Sequence, residues 1–147
     1  MKKIVTFAIG LALLAAVLVP VTACAETSLS ITSREAVLMS EDGQIVYENN
    51  ATEKRPIASM TKIMTLLRVY DAIDSGKVTL DDNVVVSAKA ASMGGSQVFL
   101  DANASYKLEN LVKSIVICSA NDSCVALAEH IDGSVENFVE GMNKKAK

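Results

Sequence analysis

The sequence predicts an α+β fold, and two patterns carry that prediction. Two β-prone runs, at 36–39 and 44–47, flank Ser40-Glu41-Asp42-Gly43, and an Asp-Gly pair is a strong hairpin signal. After Pro56, apolar residues recur at helical spacing in several successive segments. A Val-Val-Val run at 84–86 is the one later strand that we expect. A strand pair followed by helices indicates the α+β class.

The first helix is predicted to open at Ala58-Ser59 and to run to about Ser75, where Gly76 is a natural C-cap. Its apolar residues lie three and four positions apart, which predicts one apolar stripe. The residues of this stripe are Ile63, Leu66, Leu67, Tyr70 and Ile73.

Three further helices are predicted, at 108–117, from Asn121-Asp122 as capping residues through Ile131, and at 137–146. The residues expected to face inward from the first of these are Leu111, Val112, Ile115 and Val116. In the last helix, one side is predicted to carry Phe138, Val139 and Met142. The polar stretch at 87–106 is typical of loops and turns. Because a two-stranded hairpin is marginal alone and the last helical pattern has no stop signal, we expect the front part of a larger domain.

The first 25 residues have the three parts of a secretory signal. Two lysines precede an apolar run at 4–19, and Ala23-Cys24-Ala25 is a small-x-small cleavage site. The sequence therefore predicts export to the cell envelope, on the outer side of the bacterial cytoplasmic membrane. Residues 21–24 also resemble a lipobox, so lipidation of Cys24 stays open as a route to membrane association. A C-terminal anchor in the complete protein is a second open route.

The remaining residues, 26–147, are the size of one small domain. Without the leader the chain has 12 basic and 17 acidic residues, which argues against nucleic acid as a partner. The three cysteines and the single histidine form no cluster with metal-ligand spacing, so no metal or other cofactor is expected.

Ser59 and Lys62 are the leading catalytic candidates. A spacing of three residues at the start of a helix places their side chains on one face. A serine hydroxyl needs an adjacent base to act as a nucleophile, and a lysine amine can be that base where its environment lowers its pKa. The N-terminal end of the helix also favours a developing negative charge on the serine. A serine cap beside an exposed lysine is the commoner explanation of such a pair.

Ser119 and Asn121 form a second candidate pair, sixty residues downstream between two predicted helices. A second hydroxyl could relay protons, and an amide could hold the lysine or bind a substrate carbonyl. Simple capping of the next helix is the alternative. His130 is expected to be a surface or structural residue, because no Gly-x-Ser-x-Gly surrounds any serine.

Three segments in order resemble the D-alanyl-D-alanine carboxypeptidases, the low-molecular-mass penicillin-binding proteins. They are Pro56-Ile57-Ala58-Ser59-Met60-Thr61-Lys62, then Gly94-Gly95-Ser96-Gln97-Val98-Phe99-Leu100, then Ser119-Ala120-Asn121-Asp122. The resemblance covers residues 31–147. It implies a β-lactamase/transpeptidase-like fold, present here as the N-terminal hairpin of an antiparallel sheet and most of the helical lobe, with the later strands missing.

The resemblance also implies roles for the candidate residues. Ser59 would form the acyl-enzyme, Lys62 would take its proton, Ser119 would pass a proton to the leaving D-alanine, and Asn121 would orient the substrate and Lys62. The backbone N–H of Ser59 would supply half of an oxyanion hole. Peptidoglycan pentapeptide would be the substrate, β-lactam antibiotics the inhibitors, and no cofactor would be needed.

The chain departs from the family pattern at two points. Ala120 stands where the family usually has glycine, which predicts a loss of local backbone freedom. The third family motif, Lys-Thr-Gly, which grips the substrate's carboxylate and places the second oxyanion donor nearby, is absent from the sequence. One lost oxyanion donor costs about 10²–10³ in rate, so the isolated 147-residue chain is expected to be weakly active or inactive.

Two other functions stay open at this point. A class A-like β-lactamase would share Ser59, Lys62 and the Ser-x-Asn motif, and its deacylating glutamate would lie beyond Lys147. The segment at 94–100 favours the carboxypeptidase instead. The other alternative is an inactive truncated fragment, or a pseudo-enzyme that only binds wall peptides, because the third motif is missing.

Overall fold

A computed structural model describes residues 30–147. The predicted signal peptide at 1–25 and the lipidation site at Cys24 lie outside these residues. The described chain forms two compact units, residues 30–53 and Lys54–Lys147. Across 30–147, no helix is both long enough and apolar enough to cross a bilayer.

The first unit contains the predicted hairpin. Strands β1 (Ala36–Met39) and β2 (Ile45–Asn49) pair antiparallel, with a bulge after Leu38. In the turn, the Gly43 N–H donates to the Ser40 carbonyl at 3.0 Å. Gly43 has a φ of 85°, which glycine adopts without steric cost. The hairpin prediction from Asp-Gly is therefore confirmed.

In the second unit, a 3-10 turn at Ala58–Met60 leads into helix α1 (Thr61–Asp74). Gly76 has a φ of 72° and its N–H donates to the Ile73 carbonyl at 2.9 Å, which closes the helix. Both ends of the predicted helix are confirmed to within one or two residues.

The buried face of α1 differs from the predicted stripe. Its buried residues are Thr65, Val69 and Ala72, while Leu66 and Ile73 pack at the edge of the core. The other three stripe residues, Ile63, Leu67 and Tyr70, have 63%, 45% and 48% of their surface exposed. The apolar stripe is therefore only partly buried, because apolar residues surround much of α1 and the packing of neighbouring helices selects the side that is buried.

Strand β3 (Asn83–Val85) pairs antiparallel with β4 (Ser105–Lys107), and a short helix α2 (Ala88–Ala91) lies between them. The strand predicted at 84–86 is confirmed with a shift of one residue. The prediction of loop throughout 87–106 was wrong for α2 and β4. A three-residue strand has too few residues to show alternation, so only its pairing with β3 reveals it.

Three consecutive helices complete the unit: α3 (Leu108–Cys118), α4 (Asn121–Asp132) and α5 (Val135–Lys145). Helix α4 is the centre of the core, because α1, α2, α3, α5 and β3 all pack against it. Its residues from Val125 to Ala128 are all buried. An apolar helix covered on several sides is expected at the centre of a layered fold.

The inward-facing residues of α3 and α5 were predicted in part. Leu111, Val112 and Ile115 are buried, as expected. Val116 was wrongly predicted, since it is 64% exposed. On α5, Phe138 is buried, Met142 packs at the core edge and Val139 is exposed. The prediction of inward-facing residues on α3 was therefore too wide by one residue, Val116.

Asp132 joins α4 to α1 and to the turn after it. Its carboxylate accepts from Arg68 Nη2 at 3.0 Å and from Lys77 Nζ at 2.7 Å. Burial alone would raise the pKa of Asp132, but the hydrogen bonds and charges of Lys77 and Arg68 outweigh it and hold the pKa below its ordinary value of 3.8. The ionised form therefore stabilises the folded chain.

We expect Phe138→Ala to lower the free energy of unfolding by about 3–5 kcal/mol, because a fully buried aromatic ring is removed and a cavity remains. The measurement is the urea unfolding midpoint. Val139→Ala, one residue along and 44% exposed, is the control and should change stability much less. Equal losses for the two variants would contradict the described packing of α5.

We expect Asp132→Asn to destabilise the protein at neutral pH and to lose that effect in acid. Because the folded pKa lies below the unfolded value, the stabilisation is present above pH 3.8 and disappears as the pH falls through the folded pKa. The measurement is the difference in free energy of unfolding between the variant and the unmodified protein, taken at intervals of about one pH unit from pH 2 to pH 7. Glu136→Gln, which breaks the exposed pair with Lys89, should have little effect at any pH. A pH-independent difference for Asp132→Asn would contradict the assignment.

Candidate active site

Ser59 and Lys62 lie together at the entrance of α1. Ser59 occupies the 3-10 turn and is exposed, and Lys62, in the first helical turn, is half-buried. The Lys62 Nζ donates to Ser59 Oγ at 3.2 Å. Ala58, just before the serine, has a φ of 47°, so the chain enters the helix through a left-handed residue. The local backbone thus sets the serine and the lysine on one face, at hydrogen-bond distance.

Ser119 reaches Ser59 from the turn between α3 and α4. Its Oγ donates to Ser59 Oγ at 3.0 Å. Ser119 adopts a φ of 55°, in the left-handed region that costs a residue with a side chain about 1 kcal/mol or more. The strained residue lies between α3 and α4, and its conformation directs the Ser119 hydroxyl toward Ser59 at the start of α1.

Ala120 does not restrict this turn. Its φ is −67° and its ψ is 118°, which any residue adopts without strain. Its methyl group is completely buried. Ala120 therefore adopts this turn without strain, and the residue that takes the left-handed conformation is Ser119.

Asn121 is the first residue of α4, and its side chain does not cap the helix. Its Oδ1 accepts from Lys62 Nζ at 2.6 Å, and its Nδ2 donates to the Gly94 carbonyl at 2.7 Å. Its backbone N–H donates to the Ser96 carbonyl at 2.7 Å. The capping role predicted from the sequence was wrong, because the amide is used between α1 and the loop that contains Gly94.

That loop comprises residues 94–100 and is called the 94–100 loop below. Gly95 has a φ of 78°, and a Cβ built there would lie 2.9 Å from Asn121 Nδ2. Only glycine fits this position without moving the amide. The chemistry of its individual residues did not predict a role for this loop at the site. The Gly-Gly-Ser-Gln motif is the sequence feature that could have indicated one.

An open cavity of about 420 Å³ lies beside these groups. Its lining combines the serine, the lysine and the amide with small apolar side chains: Ala58, Ser59, Thr61, Lys62, Thr65, Met93, Asn121, Cys124 and Val125. Burial raises the pKa of the Cys124 thiol to about 11, so it stays protonated at neutral pH. A protonated thiol is a poor nucleophile, which leaves the hydroxyls as the nucleophilic candidates in this cavity.

His130 lies apart from this cavity. Its Nε2 is 3.9 Å from Asp82 Oδ2, at the opposite end of α4 from Asn121. Within residues 30–147, no three histidine, cysteine, aspartate or glutamate side chains are grouped as metal ligands would be. The arrangement around Ser59 is a serine hydroxyl within hydrogen-bond distance of a lysine amine and a second hydroxyl.

The family model of the D-alanyl-D-alanine carboxypeptidases matches residues 21–147. The chain belongs to this family. D-alanyl-D-alanine carboxypeptidase DacF of Bacillus subtilis (strain 168) is 47% identical over 122 residues, which are 82% of this chain and 31% of DacF. The chain thus spans about a third of the length of the curated relatives that it matches.

Solved structures of the family share the fold. The crystal structure of the carboxypeptidase DacD from Francisella tularensis gives a TM-score of 0.76 at 37% identity, over 80% of this chain and 29% of that one. Penicillin-binding protein D2 of Listeria monocytogenes, solved in an ampicillin-bound form, gives 0.69 at 27% identity, over 80% of this chain and 47% of that one. The predicted α+β, penicillin-binding-protein-type fold, present in part, is confirmed.

We expect Ala120→Gly to lower the free energy of unfolding by about 1–2 kcal/mol, because it removes a buried methyl group and loosens the unfolded chain. The measurement is urea unfolding. The control is Ala102→Gly, in an exposed turn. This variant loosens the unfolded chain but removes no buried methyl group. A more stable Ala120→Gly variant would show that the alanine strains the turn after all.

Proposed function

We propose that the protein containing this chain is a serine-type D-Ala-D-Ala carboxypeptidase that acts on peptidoglycan stem peptides through an acyl-enzyme at Ser59. One observation carries the proposal: Ser59 Oγ lies within hydrogen-bond distance of both Lys62 Nζ and Ser119 Oγ. Family membership supports the same reaction, and the two arguments are independent of each other.

In the proposed acylation, Ser59 Oγ attacks the carbonyl carbon of the penultimate D-alanine. The Lys62 amine accepts the hydroxyl proton across the 3.2 Å contact. The C–N bond to the terminal D-alanine then breaks, and a proton passes through the Ser119 hydroxyl to the leaving amine. Water later hydrolyses the serine ester and restores the free hydroxyl.

Two features of the site favour this chemistry. Ser59 lies at the N-terminal end of α1, where the helix dipole stabilises negative charge. The Ser59 N–H would serve as one oxyanion donor. Asn121 accepts from Lys62 at 2.6 Å, so the amide would hold the amine toward the serine and orient the substrate.

The same site would bind β-lactam antibiotics, which would acylate Ser59 as mimics of the D-Ala-D-Ala end. The ampicillin-bound and cefotaxime-bound forms of the Listeria relative support this part of the proposal. Action on the cell wall requires export, and the predicted signal sequence at 1–25 supports a location on the outer side of the cytoplasmic membrane. The family match favours this function over the class A-like β-lactamase.

We expect a fluorescent penicillin to label the full-length gene product at Ser59 and to leave it slowly. Ser59→Ala should abolish labelling because the ester oxygen is gone, and Ser92→Ala, an exposed serine whose hydroxyl bonds the Lys89 carbonyl, should label normally. The measurement is gel fluorescence, with mass spectrometry to locate the adduct. Release of D-alanine from a pentapeptide should disappear with the labelling.

Two outcomes would overturn the proposal. Rapid hydrolysis and turnover of the penicillin adduct would identify a β-lactamase. Labelling that survives Ser59→Ala would place the nucleophile elsewhere.

A further inference from the structure

Asp122, which follows Asn121, has a buried carboxylate that accepts hydrogen bonds from three backbone N–H groups. Its side chain is completely inaccessible to solvent. Its Oδ1 accepts from the Ser123 N–H at 2.9 Å and the Val98 N–H at 3.3 Å, and its Oδ2 accepts from Val98 at 3.1 Å and Leu100 at 3.1 Å. A buried carboxylate is tolerated only when it is bonded in this way. Asp122 does not line the cavity beside Ser59.

The two donors in the 94–100 loop flank a strained residue. Phe99 lies between Val98 and Leu100, has a φ of 58° and leaves 78% of its surface exposed. A left-handed conformation for an aromatic residue persists only where the surroundings impose it. The carboxylate bonds the backbone on both sides of Phe99, and therefore holds this bend.

The other end of the 94–100 loop is bound to Asn121. The Gly94 carbonyl accepts from Asn121 Nδ2 at 2.7 Å, and the Ser96 carbonyl accepts from the Asn121 N–H at 2.7 Å. Because Asn121 Nδ2 donates to the Gly94 carbonyl, Asn121 Oδ1 points away from Gly94 and accepts from Lys62 Nζ at 2.6 Å. The position of the loop thus decides which way the amide points.

We propose that Asp122 is a positioning residue of the active site. Its carboxylate holds the 94–100 loop so that the Gly94 carbonyl fixes the Asn121 amide with Oδ1 toward Lys62. The effect on Asn121 follows from the contacts alone, whereas the effect on reaction rate rests on the proposed function.

Asparagine cannot replace this carboxylate. Both oxygens of Asp122 accept from backbone N–H groups, whereas an asparagine side chain offers one acceptor and one NH₂ group. In either orientation the NH₂ would face an N–H donor, of Ser123 or of Leu100. The substitution keeps the volume of the side chain and breaks the attachment of the loop.

The test compares Asp122→Asn with a matched control, Ser123→Ala, in the full-length gene product. Ser123 is equally buried and adjacent, but its hydroxyl bonds Ser114 and not the 94–100 loop. NMR hydrogen exchange would report the side-chain amide of Asn121 and the backbone amides of Val98 and Leu100. The rate of acylation by a fluorescent penicillin would be measured from pH 5 to pH 10, a range of about five pH units, to record its pH profile.

In Asp122→Asn we expect all three sets of amides to exchange at least about tenfold faster and acylation to slow by about 10- to 100-fold with an altered pH profile, because the amine is no longer held toward the serine. Ser123→Ala should change neither the Asn121 exchange nor the pH profile. If Asp122→Asn does not fold, an amide-to-ester replacement at Leu100 removes one donor to the carboxylate and should produce the same changes more weakly.

Normal Asn121 exchange in Asp122→Asn, or equal effects in Ser123→Ala, would overturn the positioning role. Normal acylation together with lost protection of Val98 and Leu100 would overturn it as well. If the unmodified protein is not acylated, the proposed function fails instead. The exchange of the Asn121 amide then decides the positioning role alone: faster exchange in Asp122→Asn supports it, and unchanged exchange overturns it.

Discussion

The hydrogen bond between Lys62 Nζ and Asn121 Oδ1, at 2.6 Å, is the contact on which the geometry of the site depends. It joins the start of α1 to the start of α4, two elements separated by 59 positions in sequence. Ser59 precedes the first helix and Ser119 precedes the second, so this one bond brings the two hydroxyls together. The packing of α4 against α1 holds the two helix starts in place and so supports this hydrogen bond.

Backbone strain is concentrated around the same contact. Ala58, Phe99 and Ser119 all have a φ near +50°, a conformation that costs a non-glycine residue about 1–3 kcal/mol. Ala58 immediately precedes Ser59, Ser119 itself bonds Ser59, and Phe99 lies in the loop that holds Asn121. The hydrogen bonds of the buried Asp122 carboxylate and the packing of α4 offset the cost of these conformations. A rigid scaffold that holds strained residues in place is a common arrangement for preorganised sites.

Several features could be predicted from short stretches of sequence. The Asp42-Gly43 pair located the hairpin, the three-residue spacing placed Ser59 and Lys62 on one face, and Gly76 marked the end of α1. The order of the three family-like segments, at 56–62, 94–100 and 119–122, indicated the fold. These signals are local, because turn chemistry and helical spacing act over about four residues.

The sequence by itself determined the order of the main elements, the candidate nucleophile and base, and the family. Only the tertiary structure decided that β4 pairs with β3, that Ile63, Leu67 and Tyr70 lie on the exposed side of α1, and that Asn121 bonds Lys62 instead of capping its helix. The physical reason is that each of these depends on a partner many positions away. A polar residue at a helix start has the same local pattern whether it caps the helix or reaches across to another.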